Sequence, residues 1–207
     1  MKTALPPFEF CAMRFLDLWL RTEEAIYKGM SDPDLPSKPD QLRKMLSHYS
    51  VQRNFPGLAD DKVAIKIATF LSKVSESDLP PVEGVNALVA WFKDTIGRHN
   101  LSAASKLLWM RHRHPVVIID TQAVNALQDG LNRAFDKHNY AEFFAVWNEE
   151  YAKRADAIQN ASVGLVALPR KYTAAFDLDD EKLKDLVSQR WFQARVFDLY
   201  LWEIGKS

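Results

Sequence analysis

The stretch Ser102–Leu127, SAASKLLWMRHRHPVVIIDTQAVNAL, combines residue types and spacings suited to chemistry. Its single carboxylate, Asp120, ends an apolar run, Pro115-Val-Val-Ile-Ile119. Taken alone, Asp120 reads as a helix N-cap, its side chain accepting from the backbone N–H of Gln122 or Ala123. Capping holds a carboxylate rigid and ionised. A fixed carboxylate beside an apolar wall can stabilise a positive charge developing on a deoxyribose. It can also help activate water for N-glycosidic cleavage. The structural and chemical readings coexist at this residue.

Before Asp120 lies a basic field. From Thr95 to Ile119 there is no Asp or Glu, while Arg98, Lys106, Arg111 and Arg113 fall there with His99, His112 and His114. A helix starting at Ser102 opens inside this field. Its free N–H groups and dipole favour an anion such as a DNA phosphate. A solvated basic surface is the plain alternative. The run Arg111-His-Arg-His114 has no neighbouring carboxylate or thiol, so no metal site is expected.

These residues need elements to position them, and helical spacing dominates the chain. Helices are expected over about 8–28, 41–48, 60–74, 81–97, 102–110, 120–135, 140–158, 180–188 and 191–204, with Ser31–Asp40 a proline-rich loop. Val82, Val85, Val89, Phe92 and Ile96 make one apolar stripe, and Gly97 suits the position just past a helix end. Residues 82–110 therefore read as a helical hairpin. The β-branched run Val116–Ile119 is expected to be extended. A link before residue 180 contains Pro169-Arg-Lys-Tyr172. Convincing strand alternation is absent, so the expected fold class is all-α.

The 207 residues suffice for one domain, or two lobes sharing a core. Lys plus Arg equals Asp plus Glu at 27 each, so any nucleic-acid footprint must be local. One cysteine, Cys11, excludes an intrachain disulfide and a four-cysteine cluster, which fits a reducing cytoplasm. The start, MKTALPPFEF, has no long apolar run, so no signal peptide is expected. No window resembles a membrane span.

A helical hairpin, a short link, then P-V-x-x-x-D followed by V-x-x-L resembles the helix-hairpin-helix DNA glycosylase superfamily. Within it, the chain is similar to small bacterial proteins with an 8-oxoguanine-glycosylase-like fold. His114–Leu127 carries the match, and Arg195–Gly205, RVFDLYLWEIG, is similar to an R-x-x-D-x-x-L-W-x-x-G ending. The resemblance implies a two-lobed helical fold with its active site in the inter-lobe cleft. On that basis residues 1–207 are one glycosylase-like domain. The N- and C-terminal helices form one lobe, and about 60–135 form the hairpin lobe.

The resemblance also implies a catalytic aspartate at Asp120 and a functional position at the start of the hairpin's second helix. Bifunctional members hold a nucleophilic lysine there. Counting back eighteen residues from Asp120 reaches Ser102, with Lys106 one turn later on the same face. If Ser102 holds the position, the enzyme is monofunctional and Lys106 contacts phosphate or substrate. If the helix is shifted by a turn, Lys106 is a Schiff-base nucleophile and the enzyme is also a lyase. The first is favoured. The family's hairpin turn, G-x-G, is here Gly97-Arg-His-Asn-Leu101. Arg98 and Asn100 are then expected to replace backbone grip with side-chain contacts, beside Arg111 and Arg113.

Base extrusion requires a wedge and a stacking pocket. Gln52, Arg53 and Asn54, in the turn Tyr49–Pro56, are candidates for the wedge or base reading. Trp191 and Trp202 are candidates for stacking, against the simpler reading that they are core. The expected partner is double-stranded DNA, bound by a cytoplasmic monomer with no cofactor and no membrane contact. The substrate classes implied are oxidised purines and hypermodified phage bases such as glucosylated hydroxymethylcytosine. The compact architecture and unorthodox hairpin favour the latter. Two alternatives compete. Arg133 and His138 match the R-x4-H pattern of HEPN ribonucleases, which would depend on His138 and not on Asp120. A non-enzymatic helical DNA-binding protein would leave bases intact.

Overall fold

A computed structural model describes residues 7–168, 174–175 and 177–206 of the chain. The link Pro169–Tyr172 lies outside the described residues. The described residues are helical with irregular connections and contain no strand, so the molecule is all-α. None of the described helices is long and apolar enough to cross a membrane. The chain divides into two compact units: Met1–Glu24 with Asp120–Ser207, and Ala25–Ile119. The hairpin-containing unit thus begins and ends earlier than the span of about 60–135 expected from the sequence.

In the first unit, α1 (Phe8–Leu18) runs into a π-helical turn at Trp19–Glu23. After Asp120 come α7 (Thr121–Asn125) and a second π-helical turn at Ala126–Gly130, then α8 (Tyr140–Ala152), α9 (Ala155–Gly164), α10 (Asp180–Ser188) and α11 (Arg190–Ile204). Helix α11 packs on α1, α7, α9 and α10, and every residue from Trp191 to Leu201 is buried. Burial on all sides from Trp191 to Leu201 is that of a central helix. Phe15 meets Phe192 at 4.9 Å and Trp191 at 6.1 Å between ring centroids, and Trp19 meets Trp191 at 4.4 Å. Trp147, Tyr151 and Phe197 form a second aromatic cluster.

Two expectations in this unit are corrected. The helix opening at Asp120 stops at Gly130 instead of reaching Phe135. The N–H of Leu131 reaches back to Ala126 and that of Arg133 to Leu127, winding the chain out of the helix. The expected single helix at 140–158 is two. Arg154 leaves helical geometry at φ −120°, and its guanidinium turns back to the Glu150 carbonyl at 2.8 Å.

The second unit holds α2 (Glu24–Met30, begun one residue earlier), α3 (Pro39–His48), α4 (Asp61–Ser75), α5 (Pro81–Ile96) and α6 (Leu101–His112), with single 3-10 turns at Leu35–Ser37 and Gln52–Asn54. Asp60 caps α4 by accepting from the Lys62 N–H at 2.9 Å. Helix α6 is rich in Ala, Leu and Met, all strong helix formers. It is buried at Leu101 and from Ala103 to Met110, and it packs on α4 and α5. The α5–α6 hairpin closes at Gly97, whose φ of +70° is the left-handed conformation glycine adopts without a Cβ penalty. Val116–Ile119 follow as a buried run outside any helix, with no strand partner among the described residues.

Candidate active site

In the first unit Asp120 is extended at φ −146° and ψ 174°, and its Oδ1 accepts from the Ala123 N–H at 2.9 Å. Asp120 is partly exposed as a residue, and among the described residues nothing bonds its other oxygen. The cap is therefore present. At the far end of α11, a Cβ on Gly205 would lie 2.0 Å from the Gln122 carbonyl oxygen. Only a glycine lets α11 end against the first turn of the helix that Asp120 caps.

Helix α11, which packs on α7, carries part of a buried group of charges to which the sequence assigned no role. Asp198 accepts from the Trp147 indole N–H at 2.8 Å and pairs with Arg195 at 3.0 Å. The same guanidinium reaches Glu23 at 3.4 Å. These three charged residues are only 1–7% exposed. Burial pushes the Asp198 carboxyl up to about 6, against the pull of Arg195 and Trp147, and the charge of Asp120 adds to the rise. The signal was Arg195 and Asp198, three apart among the apolar neighbours Val196, Phe197 and Leu199, since buried charges need partners.

In the second unit the hairpin turn and the Tyr49–Pro56 turn come together. The Asn100 side chain donates to the Asn54 carbonyl at 3.1 Å. It does so instead of capping α6, whose N-cap position it occupies. Lys106 is only 8% exposed; its Nζ donates to Ser102 Oγ at 3.1 Å and lies 5.9 Å from the Tyr49 ring centroid. Ser105 Oγ donates to the Ser102 carbonyl at 3.1 Å and accepts from the Ile119 N–H at 3.2 Å. The residue immediately before Asp120 is thereby tied to the helix that carries Ser102 and Lys106. Gln52, Arg53, Arg98 and His99 are exposed around this cluster, with Asn54, Asn100 and Ser102 partly so.

Several expected site residues are occupied elsewhere. Arg111 bonds the carbonyls of Met30 and Asp32 and the Ser75 hydroxyl, and burial lowers its pKa from the usual guanidinium value. Arg113 stacks on Tyr27 at 4.1 Å. Both arginines fasten the end of α6 to α2 and the residues just after it, so the basic surface near the hairpin is smaller than the sequence suggests. Trp191 is core, enclosed by Phe15, Trp19 and Phe192. Trp202 is partly exposed between two cations, Arg14 at 5.0 Å and Lys206 at 3.3 Å from its ring. Arg133 is held by Glu149 and Glu150, while His138 is exposed on a turn. No cluster of three or more metal-ligating side chains occurs among the described residues. No protein-family model, no curated protein and no solved structure matches the chain significantly.

Proposed function

We propose that the protein is a DNA glycosylase that flips out a modified base and hydrolyses its bond to deoxyribose, leaving an abasic site. The observation that carries this reading is Asp120, a partly exposed residue whose carboxylate is pinned through one oxygen to the start of α7. Pinning fixes its direction, and an ionised oxygen in a fixed place stabilises the oxocarbenium character that develops as the base departs. The same oxygen can orient the attacking water. In the second unit the start of α6, with Ser102 partly exposed and Arg98 and His99 just before it in the chain, is suited to binding a phosphate. Gln52, Arg53 and Asn54 stand on the turn bonded to Asn100 and are the wedge or base-reading candidates.

Lys106 serves Ser102 in this reading: its amine is bonded to the hydroxyl and largely buried. The enzyme is accordingly monofunctional. The favoured substrate is a hypermodified phage cytosine, in keeping with a role in antiviral defence, ahead of oxidised guanine in repair.

The test is alkali-labile break formation in unmodified, oxidised, uracil-containing, hydroxymethylated and glucosylated DNA, with wild type and Asp120→Asn. Breaks in one modified DNA, lost in the variant, are expected. Intact DNA throughout would sink the reading and leave a binding protein. Borohydride added during the reaction is expected to trap no covalent protein–DNA adduct. An adduct lost in Lys106→Ala would make the enzyme a lyase.

A further inference from the structure

The hairpin unit, residues 25–119, holds a pocket that the reaction just described does not use. Its volume is about 310 Å³, and it lies where α4 ends, α5 begins and α6 ends. That size is at the small end of ligand pockets, which run from about 300 to 1,000 Å³. The pocket sits at the end of the α5–α6 hairpin opposite its turn. His112, the last residue of α6, stands about 16 Å along the helix from the first, Leu101. Leu108 and Val116, each 3% exposed, give the pocket a buried apolar wall. Gly84 brings α5 close against that wall, since a Cβ there would lie 2.9 Å from Leu108 Cδ2. Leu79 lines the same pocket and is 43% exposed, so it offers a flat ligand a second apolar contact.

The polar side chains around this apolar wall are acceptors. Ser77 Oγ donates to the Val74 carbonyl at 2.6 Å, and Ser75 Oγ donates to the Ser72 carbonyl at 3.0 Å, so each keeps only lone pairs for a further partner. Asp78 is an exposed carboxylate. Burial, and after it the charge of Arg111, lowers the His112 pKa and favours the neutral ring. The Ser75 carbonyl faces one of its nitrogens and holds the proton there, which leaves the other nitrogen to accept. The first turn of α5 adds no donor to the lining: Pro81 has no N–H, and that of Gly84 bonds the Pro80 carbonyl at 2.9 Å. An anion would meet the Asp78 charge, and an apolar ring would leave the acceptors unanswered.

We propose that this pocket binds a small neutral heteroaromatic amine, an aminopyrimidine or aminopurine as free base or nucleoside. The ring lies against Leu79 and Leu108, and its amino group donates to the acceptors at the rim, Asp78 foremost. The site stands apart from Asp120 and from the glycosylase reading.

The test titrates the full chain with cytidine and uridine, then with adenosine and inosine. The His112 ring signals and Leu79 methyl signals are followed by nuclear magnetic resonance at one pH. In each pair the first nucleoside carries an amino group where the second carries a carbonyl oxygen. Saturable shifts are expected with at least one amino nucleoside, and its carbonyl counterpart should bind about 10-fold more weakly or worse. Asp78→Asn, a substitution at an exposed residue, should weaken the amino nucleoside about 10-fold by removing the charge from the acceptor. Leu79→Ala should weaken both members of the pair alike. Equal affinity within each pair, indifference to Asp78→Asn, or no shift from any nucleoside at millimolar concentration overturns the proposal. So does a response to a single-stranded oligonucleotide alone, which would make the pocket a nucleic-acid contact.

Discussion

At the scale of single residues, the cap and the charge of Asp120 can be separated. Asparagine caps a helix about as well as aspartate does. Asp120→Asn should melt within about 0.5 kcal/mol of wild type and lose excision by about 100-fold or more. Asp120→Ala should lose excision and about 1 kcal/mol besides. Thermal melts run beside the strand-break assay check both; a large loss of stability in Asp120→Asn would mean that its charge is structural. The cap was legible in the sequence because it depends on residues three apart. The fate of Arg111 was not, since its partners Met30, Asp32 and Ser75 lie 36 to 81 residues away. Nor was the network at Asp198, which joins residues 51 apart through Trp147, while Arg195 meets Glu23 across 172. A basic run announces charge, and only the fold decides which cations are left for a ligand.

At the scale of elements, helices with strong periodicity were readable from the chain, α5 with its Gly97 ending most directly. What periodicity missed were departures from it. The π-helical turn at Ala126–Gly130 ends a helix whose apolar spacing continues to Phe135. Helix α6 and helix α11 are buried nearly all round, so they have no polar face to mark their register. Two glycines test different physics here. Gly97→Ala meets nothing within 4 Å and carries only the strain of a positive φ. It should cost about 1 kcal/mol by denaturant titration, with excision kept. Gly205→Ala would drive a methyl into the Gln122 carbonyl, so the first turn of α7 must shift. It should cost more stability than Gly97→Ala and reduce excision by about 100-fold, the scale of a carboxylate moved out of line. Equal excision in the two variants would show that α11 does not place Asp120.

For the molecule as a whole, two acids of opposite character shape stability against pH. Glu150 is 3% exposed; burial alone would raise its carboxyl, but bonds from Lys153, Arg154 and Arg133 bring it down to about 2. Its folded value lies below the unfolded one, so its contribution is present above about pH 4.5 and lost as pH falls toward 2. Asp198 has the reverse sign. Its contribution is full below about pH 4 and is lost as pH rises through about 6. Glu150→Gln should flatten the acid limb of a stability profile followed by circular dichroism, and cost about 2 kcal/mol at neutral pH by weakening charge-assisted bonds to three partly exposed cations. An unchanged acid limb would mean that other carboxylates govern acid unfolding. Net charge is zero, and Arg111 and Arg113 are committed internally. DNA binding should therefore be weakly salt-dependent, with a log–log slope of about −2 to −3, as for two or three phosphates. A fluorescence-anisotropy titration at several salt concentrations measures it, and a slope near −6 would require a basic face elsewhere.

The division of the chain also has a consequence for its synthesis. Residues 25–119 are one uninterrupted stretch, whereas the unit with Asp120 joins residues 1–24 to 120–207. A ribosome can release the whole hairpin unit for folding while the other still lacks α11. The opening helix must wait for the last one, because Phe15 and Glu23 find Phe192 and Arg195 there. Asp120 is therefore made well before Phe192, Arg195 and Asp198, so a nascent chain stalled before α11 would carry the hairpin unit without the helix that packs on α7.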